Sequence, residues 1–417
     1  MTKNTLKSII PDSITGMIFA LEGMKDTVVL LNGPMGCKFY HSTTSQFLSI
    51  RPVLYLPTED AGKKMPVDTS YLNDWFFRQE RVPCTYLDGY DYVYGTRDKV
   101  SEALRYISDN VSFDILAIVN SPGAALIGDN LLMMARQLLG GRCVVMLESP
   151  GYSSSFEEGY SNAARAILEQ VGPLEKDVSA TAVPNGIKGV NILGLSIWNR
   201  YCYGDIMELR RLFGLCGIDV ISTLCADCSI DQLRTMPRAE LNVVLSPETG
   251  LDAAEFLQEK YGTPFYVCNT LPIGFDATEK MYTDICSTLC VCPDKLLEDS
   301  GRARGLAWYK INQEYRSYGK PRGVKYHVKA SPFTEDSYRA FLTGYLGMEH
   351  SEPEHAELVF SDANLISELM LQNHRFCGIE ISLPGMGYTD LIPKTHMGVM
   401  GALFLTEQVL NGLMSKL

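Results

Sequence analysis

The chain has 417 residues, of which 46% are hydrophobic and 21% are charged, and its 49 acidic and 37 basic side chains give a formal net charge of −12. This composition is typical of a globular protein with two or three domains, and the negative charge argues against nucleic acid as a partner. The sequence contains no apolar run of the roughly 20 residues that a membrane span needs, and its N-terminus lacks the apolar core of a secretory signal. We therefore expect a cytoplasmic protein that binds neither nucleic acid nor membrane.

The first informative segment, residues 26–41, predicts a buried strand from Val28 to Leu31 that runs into a Gly/Pro turn carrying Cys37. Open α/β sheets bind ligands where their strands end, because loops and unpaired amides collect there. Cys37 is therefore the first candidate ligand for a cluster or a metal. His41 follows the turn and could donate a hydrogen bond to a cluster sulfur or relay protons, although an interface residue is the simpler interpretation.

Short apolar strands alternate with Gly/Pro/Ser loops and amphipathic helices along the rest of the chain, which predicts an α/β fold with parallel sheets covered by helices on both faces. The helices are expected at Leu131 to Leu139, Asp205 to Leu215, Leu251 to Tyr261, Thr334 to Leu346, Ile366 to Gln372 and Val399 to Leu410. Polar, turn-rich stretches at 174–188 and 313–323 predict connections. We therefore expect three α/β domains, at residues 1–180, 181–318 and 319–417.

Twelve cysteines need an explanation, because the cytosol keeps thiols reduced. Five in apolar contexts are expected to be small buried core residues, namely Cys143, Cys202, Cys216, Cys268 and Cys377. Cys225 and Cys228 form a C-x-x-C after the strand Asp219 to Ser222; they could bind a metal or cycle through a disulfide, and a structural role is the simpler interpretation. A crowded set follows at Cys286, Cys290 and Cys292, where the buried face of a helix is a plainer explanation than metal binding.

Five motifs then appear in order: NGPMGC at 32–37, DYVYGT at 91–96, SPGAALIGDN at 121–130, VNILG at 190–194 and PIGFDAT at 272–278. They resemble the motifs H-G-P-x-G-C, D-x-V-F-G-G, C-P-x-x-L-I-G-D-D, V-N-I-x-G and P-I-G-x-x-A-T of the nitrogenase component 1 type oxidoreductases, which include nitrogenase MoFe-type proteins and dark-operative protochlorophyllide reductases. The resemblance implies three Rossmann-like domains per subunit and assembly as homologous pairs. It also implies an iron–sulfur cluster that receives electrons from an ATP-dependent Fe-protein-like reductase.

The resemblance identifies candidate cluster ligands, with departures. Of the three cysteines that such family members supply, Cys37 is retained, whereas Asp12 or Ser13 stands at the first position and Ser121 at the third. A serine hydroxyl is a poor iron ligand compared with a thiolate. Cys84, seven residues before Asp91, lies on a loop that the family places near the same edge. Two copies each of Cys37 and Cys84 in a symmetric dimer would supply the four thiolates of a 4Fe-4S cluster. Ligation by Cys37 with a partner's cysteines, and the absence of a cluster, remain open.

The family's second metallocluster lacks its ligands here. Ser246 stands where the family has a thiol, and the loop 383–387 contains no histidine. We therefore expect no molybdenum-type cofactor and no dinitrogen reduction by this chain alone.

Other side chains could face the cleft that the fold implies. Aromatic candidates for contact with a planar or apolar ligand are Tyr152, Trp198, Tyr201, Tyr203, Tyr266 and Tyr388, although subunit interfaces explain them equally simply. Arg200, Lys325 and Lys394 could bind an anionic substrate, but each is expected to be solvated. His396 is expected to cap the final helix or to contact a neighbouring chain.

The sequence contains neither a G-x-x-x-x-G-K-[ST] motif nor a G-x-G-x-x-G that opens a helix, so ATP hydrolysis is expected of the reductase partner. Three functions remain open: a reductase subunit that transfers electrons to a substrate in the inter-domain cleft, a non-catalytic companion subunit, and a metallocluster maturation scaffold. The assembly could be a homodimer, or a heterodimer or heterotetramer with a homologous component 1 chain.

Overall fold

The computed structural model describes residues 11–25, 27–38, 82–149, 154–172, 188–383, 385 and 392–414. These residues form three parallel sheets of three, four and four strands, each accompanied by helices. This confirms the predicted α/β class with three Rossmann-like sheets. The described residues divide into two compact units, one drawn from 11–172 and 224–234, the other from 188–223 and 235–414.

The first unit contains the sheet with strand order β1-β2-β3. Its elements are α1 (Ser13–Glu22), β1 (Thr27–Asn32), a 3-10 turn (Met35–Lys38), α2 (Gly89–Tyr94), α3 (Arg97–Asn110), β2 (Ile115–Asn120), α4 (Pro122–Ala125), α5 (Leu131–Leu139), β3 (Cys143–Glu148) and α6 (Phe156–Gln170). Residues 224–234, which come later in the chain, also belong to this unit and contain most of α8 (Ile230–Thr235). The strands pair in register, so that Asn32, Asn120 and Glu148 end at one edge.

Close helix packing covers one face of this sheet. All ten residues of α1 are buried, and α1 packs along α6. A Cβ on Gly16 would lie 2.0 Å from the carbonyl oxygen of Phe156, and one on Gly159 would lie 2.0 Å from that of Ser13. Only glycine at both positions allows this approach. On the other face, α3 and α5 cover an apolar cluster that includes Val28.

The second unit contains two four-stranded parallel sheets with strand orders β5-β4-β6-β7 and β11-β10-β8-β9. The elements that build the first are β4 (Lys188–Leu193), α7 (Cys202–Leu215), β5 (Ile218–Thr223), β6 (Leu241–Val244), α9 (Pro247–Tyr261), β7 (Phe265–Val267), α10 (Phe275–Leu289) and α11 (Asp294–Tyr318). Those that build the second are β8 (Lys325–Val328), α12 (Pro332–Arg339), β9 (Glu349–His350), β10 (Leu358–Ser361), α13 (Ala363–Leu371), β11 (Cys377–Glu380) and α14 (Gly398–Met414). Helix α14 packs on α7 and α11.

Two element predictions were wrong. Residues 313–318, expected in a connection, continue α11, which ends only where Gly319 adopts a left-handed conformation. The single helix expected at Thr334 to Leu346 is instead α12 followed by a π-helical turn, Ala340–Tyr345. Polar composition marks a solvated helix face as readily as a loop, which explains the first error.

Three of the five cysteines expected in the core are buried, namely Cys202, Cys216 and Cys268. Cys143 and Cys377 are only half-buried, because they begin β3 and β11 at the edges of their sheets. None of the helices in the described residues combines the length and the apolar content needed to cross a membrane.

Candidate functional site

The candidate site lies where β1 ends, and a neighbouring segment reaches it by pairing with that strand. Leu31 N donates to Pro83 O at 2.9 Å, Thr85 N donates to Leu31 O at 3.0 Å, and Leu87 N donates to Gly33 O at 3.0 Å. Residues 83–87 therefore run beside β1 and bring Cys84 to the carboxyl edge of the sheet.

Three of the predicted ligands surround Gly33. A Cβ on this residue would lie 2.8 Å from Ser121 Oγ and 3.9 Å from Cys37 Sγ, and Cys84 Sγ donates a hydrogen bond to Gly33 O at 3.2 Å. Cys37 is half-buried in the 3-10 turn, whereas Cys84 and Ser121 are buried. The structure thus brings Cys37, Cys84 and Ser121 together around one glycine.

Polar side chains beneath Gly33 hold this arrangement. Asn32 Nδ2 donates to Asn120 Oδ1 at 2.9 Å, and Asn32 Oδ1 accepts from Thr85 Oγ1 at 2.9 Å. Thr85 Oγ1 also accepts from Gly33 N at 3.1 Å. Sequence reasoning missed these positioning residues, although Asn32 lies in the NGPMGC motif. Their amide and hydroxyl groups satisfy buried polar atoms at the edge and so fix the loop geometry.

The oxygen-bearing candidates act as helix caps. Asp12 Oδ1 accepts from Thr15 N at 3.0 Å and from Thr15 Oγ1 at 2.8 Å at the start of α1. Ser121 Oγ accepts from Ala124 N at 3.4 Å at the start of α4. These contacts give Asp12 and Ser121 a structural function. Cys37 and Cys84 are consequently the soft donors at this edge, while His41, Tyr152 and Tyr388 lie outside the described residues.

One chain does not complete a metal site on its own within the described ranges. No three His, Cys, Asp or Glu side chains there are arranged to hold a metal ion. The donor chemistry of the two thiols around Gly33 nevertheless fits iron–sulfur ligation, provided that other ligands come from outside these residues.

Cys225 and Cys228 have a structural environment. Both side chains are fully buried in a loop that wraps around Gly23, where a Cβ would lie 1.7 Å from Cys225 O. Cys228 N donates to Gly23 O at 3.1 Å, and the Tyr160 hydroxyl donates to Cys225 O at 3.0 Å. Burial raises the pKa of Cys225 well above its usual range, which keeps this thiol protonated at neutral pH.

In the second unit, Arg200 forms a buried ion pair with Glu380, and the two side chains are 6% and 3% exposed. The expectation that Arg200 is solvated was wrong, because Glu380 at the end of β11 supplies a buried counter-charge. A Cβ on Gly385 would lie 2.4 Å from Arg200 Nη1 and 3.0 Å from Glu380 Oε2, so a side chain there would have to displace the ion pair. The sequence signal for this buried ion pair was an acidic residue, Glu380, inside the otherwise apolar strand sequence CGIEI.

His396 is buried in a polar cluster. Its Nδ1 lies 2.6 Å from the Tyr338 hydroxyl and its Nε2 lies 2.6 Å from Gln408 Oε1. Asp205 Oδ1 in α7 accepts from Thr395 Oγ1 at 2.7 Å, from His396 N at 3.0 Å and from Met397 N at 3.2 Å. The adjoining cavity is only about 20 Å³, which is room for one water molecule rather than a substrate.

The other predicted contact residues have local partners or remain solvated. The Tyr266 hydroxyl donates to Asp284 at 3.0 Å. The Lys394 ammonium lies 5.6 Å from the ring centroid of Phe404, and the Tyr201 ring lies 4.6 Å from that of His396. Lys325 is exposed, as expected, and Tyr203 is half-buried.

Comparison with known proteins identifies the relatives of this chain. Residues 13–352 match the family profile described as nitrogenase component 1 type oxidoreductase. The chain is 30% identical over 240 residues to a subunit of the light-independent protochlorophyllide reductase from Synechococcus sp. (strain WH7803), which is 56% of this chain and 45% of that protein. It is 27% identical over 259 residues to the nitrogenase molybdenum-iron protein alpha chain of Methanothermobacter marburgensis, which is 60% of this chain and 48% of that protein.

The matched stretch thus spans about half the length of these curated relatives. The solved structure of nitrogenase Cp1 at pH 6.5 superposes with a TM-score of 0.70 at 18% identity, covering 98% of this chain and 92% of that one. This likeness confirms the fold.

The Asp205 environment predicts a pH-dependent stability. Burial raises the pKa of Asp205 from 3.8 to about 6, so the folded state takes up a proton that the unfolded state has already lost. The stability that this proton provides is complete below about pH 4 and lost as the pH rises through about 6, a change of about 3 kcal/mol. Asp205→Asn keeps an oxygen for the three donors and removes the ionisation. We expect this variant to lose less stability than the wild type between pH 4.5 and 7.5 in denaturant titrations at fixed pH.

The control is Glu255→Gln on α9, because Glu255 is an exposed acid in the same unit. Its pH profile should match that of the wild type. Parallel profiles for Asp205→Asn and the wild type would contradict the assignment of this titration to Asp205.

Proposed function

This chain belongs to the nitrogenase component 1 type oxidoreductase family, and on that premise we propose that it is an iron–sulfur electron-transfer subunit. Cys37 and Cys84 would hold a 4Fe-4S cluster together with ligands from a second chain. An ATP-dependent Fe-protein-like reductase would supply the electrons, and a substrate would receive them. The observation that carries this proposal is the convergence of Cys37 and Cys84 on Gly33 at the carboxyl edge of the first sheet.

The two thiols suit this function for different reasons. Cys37 is half-buried and lies in a turn after β1, so its sulfur can reach a group at the surface of the edge. Cys84 is 4% exposed and donates its S–H to Gly33 O, so ligation would require this proton to leave and this hydrogen bond to break. When bound, the cluster would accept and release single electrons. The residues around Gly33 would hold both sulfurs at a fixed separation.

A second chain is part of the proposal because a 4Fe-4S cluster takes four thiolates and the described edge offers two. The long helix α11 supports assembly, since Leu306, Trp308 and Tyr309 are exposed on it. A groove of about 740 Å³ lies between α11 and α14, lined largely by apolar side chains such as Leu403 and Phe404. Exposed apolar surface of this kind is typical of protein interfaces.

A molybdenum-type cofactor is not part of the proposal. Ser246, which stands where the family has a thiol, is buried at the start of α9, and a neutral hydroxyl is a weak ligand for a metal–sulfur cluster. Dinitrogen reduction by this chain alone is accordingly not proposed.

Docking of the reductase would use an apolar patch next to the candidate ligands, defined by Tyr90, Val93, Tyr94 and Leu126. Val93 is 73% exposed, Tyr94 71% and Leu126 89%. A Cβ on Gly123 in α4 would lie 3.0 Å from the Tyr92 ring, so α2 and α4 adjoin. Tyr90, Val93 and Tyr94 follow Cys84 in the chain, and Leu126 follows Ser121. The patch therefore lies beside the site, where an electron donor could approach the cluster.

The central test of the proposal is iron binding after anaerobic reconstitution. We expect wild-type protein to carry about one 4Fe-4S cluster per two chains, measured as iron and acid-labile sulfide and by electron paramagnetic resonance after reduction. Cys37→Ala should reduce iron to background. Cys84→Ala should do the same if both thiols are ligands, whereas unchanged iron would restrict ligation to Cys37 and the partner's cysteines.

Cys143→Ala is the matched control, because Cys143 begins β3 and lies at the opposite edge of the same sheet. Its iron content should equal that of the wild type. An iron-free wild-type protein, or full iron content in Cys37→Ala, would refute the cluster assignment.

The docking patch makes a separate prediction. Val93→Glu and Leu126→Glu place a charge in an apolar contact, so ATP-dependent reduction of the cluster by the reductase should slow by about tenfold or more. Iron content and reduction by dithionite should stay unchanged. Met370→Glu in the second unit, where Met370 is also exposed, should have no effect on this rate. Equal rates for all three variants would exclude this patch as the docking surface.

A further inference from the structure

Helix α11 in the second unit presents an exposed aromatic face. Of its 25 residues, only Leu296, Ser300 and Ala307 are buried, and these three lie on one side of the helix. The opposite side carries Trp308 and Tyr309, whose side chains are 63% and 61% exposed. Exposed tryptophan and tyrosine side chains on one helix face are typical of surfaces that bind another protein.

Two glycines lie at the centre of this face. Gly301 and Gly305 are both exposed in the middle of α11. Neither has a positive φ, and a Cβ at either position would meet no atom of the described chain within 4 Å. Glycine inside a helix destabilises that helix relative to alanine. The described part of the chain therefore gives no reason for glycine at these positions, whereas close approach of a second helix would.

Charged and aromatic side chains on the same face are arranged symmetrically about Gly305. Asp294 and Arg316 each lie eleven residues from Gly305, and Arg302 and Trp308 each lie three residues from it. All four lie within about 60° of Gly305 around the helix axis. If two copies of α11 pair antiparallel with Gly305 at the centre, each Asp294 faces an Arg316 and each Arg302 faces a Trp308.

A tyrosine matches the space that the other glycine leaves. Gly301 and Tyr309 each lie four residues from Gly305. The same antiparallel pairing therefore places each Tyr309 ring over the Gly301 backbone of the opposite helix. Because both glycines lack side chains, the two helix backbones could approach closely.

We propose that α11 is a self-association surface, on which two copies of this chain pair around a twofold axis at Gly305. The occupant is a second copy because one α11 supplies both members of every contact, as a twofold interface requires. Asp294 would form an ion pair with Arg316, and Arg302 a cation–π contact with Trp308, twice per dimer. A crossing angle of about 20° keeps the two ends of the helices within reach of each other.

This contact needs no cluster, so its failure would leave the cluster assignment unchanged. The charges at the two ends of α11 have a second effect, because an acid in the first turn and a base in the last turn offset the helix dipole. The experiment must therefore separate a contact between chains from an effect within one helix.

The test is an exchange of charges, followed by sedimentation velocity of the full chain. All samples carry Cys37→Ala, so that pairing through the proposed cluster does not contribute. We expect this parent protein to form dimers at micromolar concentration. Asp294→Arg and Arg316→Asp should each raise the dimer dissociation constant by about tenfold or more, because each change places like charges together twice.

An equal mixture of the Asp294→Arg and Arg316→Asp proteins should recover the dissociation constant of the parent. In a mixed dimer every charged pair again joins opposite charges. The effect of each change on the helix dipole is the same before and after mixing. Recovery would therefore report a contact between two chains.

Gly305→Leu tests the position of the axis, because it places a bulky side chain where the two helices cross. Leucine favours helix, so α11 should stay folded while the protein becomes monomeric. Gly214→Leu is the matched control, since Gly214 is an exposed glycine in α7 with open space around it in the described chain, and it should keep the dimer. A monomeric parent protein, no recovery on mixing, or dimers that survive Gly305→Leu would overturn the proposal.

Discussion

The space at Gly33 is the constraint on which the candidate site depends. Ser121 comes so close that a Cβ at position 33 would lie 2.8 Å from its side-chain oxygen, and the Gly33 carbonyl accepts hydrogen bonds from both Leu87 N and Cys84 Sγ. Three chain segments therefore meet on one residue that has no side chain. Backbone pairing beside β1 sets the position of Cys84, whereas Cys37 lies in the 3-10 turn that follows the strand. The backbone around Gly33 therefore determines where both thiols lie.

Buried charges organise the second unit in a comparable way. Asp205, in the first turn of α7, accepts hydrogen bonds from the Thr395 hydroxyl and from the backbone amides of His396 and Met397. Glu380, at the end of β11, pairs with Arg200 in the loop after β4. Each acid joins elements of the two four-stranded sheets. Buried ion pairs and hydrogen-bonded acids specify geometry more reliably than they add stability. Both acids therefore have structural partners within the second unit.

Sequence reasoning succeeded where the signal was local and failed where it was not. The strand before Cys37 and the helix at Leu131–Leu139 were predicted from continuous apolar patterns. The burial of Arg200 depends on a partner 180 positions away, and the hydrogen bond between Asn32 and Asn120 spans 88 positions. No periodicity encodes such pairs. The family motifs located Cys37, but only backbone pairing explains how Cys84 joins it.

The most direct test of the central claim is anomalous diffraction at the iron edge from crystals grown without oxygen. We expect an iron–sulfur cluster bonded to Cys37 Sγ, with ligands from two chains and with Gly33 in contact with Ser121. Iron bound elsewhere, or an iron-free protein in which Cys37 keeps its proton after reconstitution, would contradict the claim.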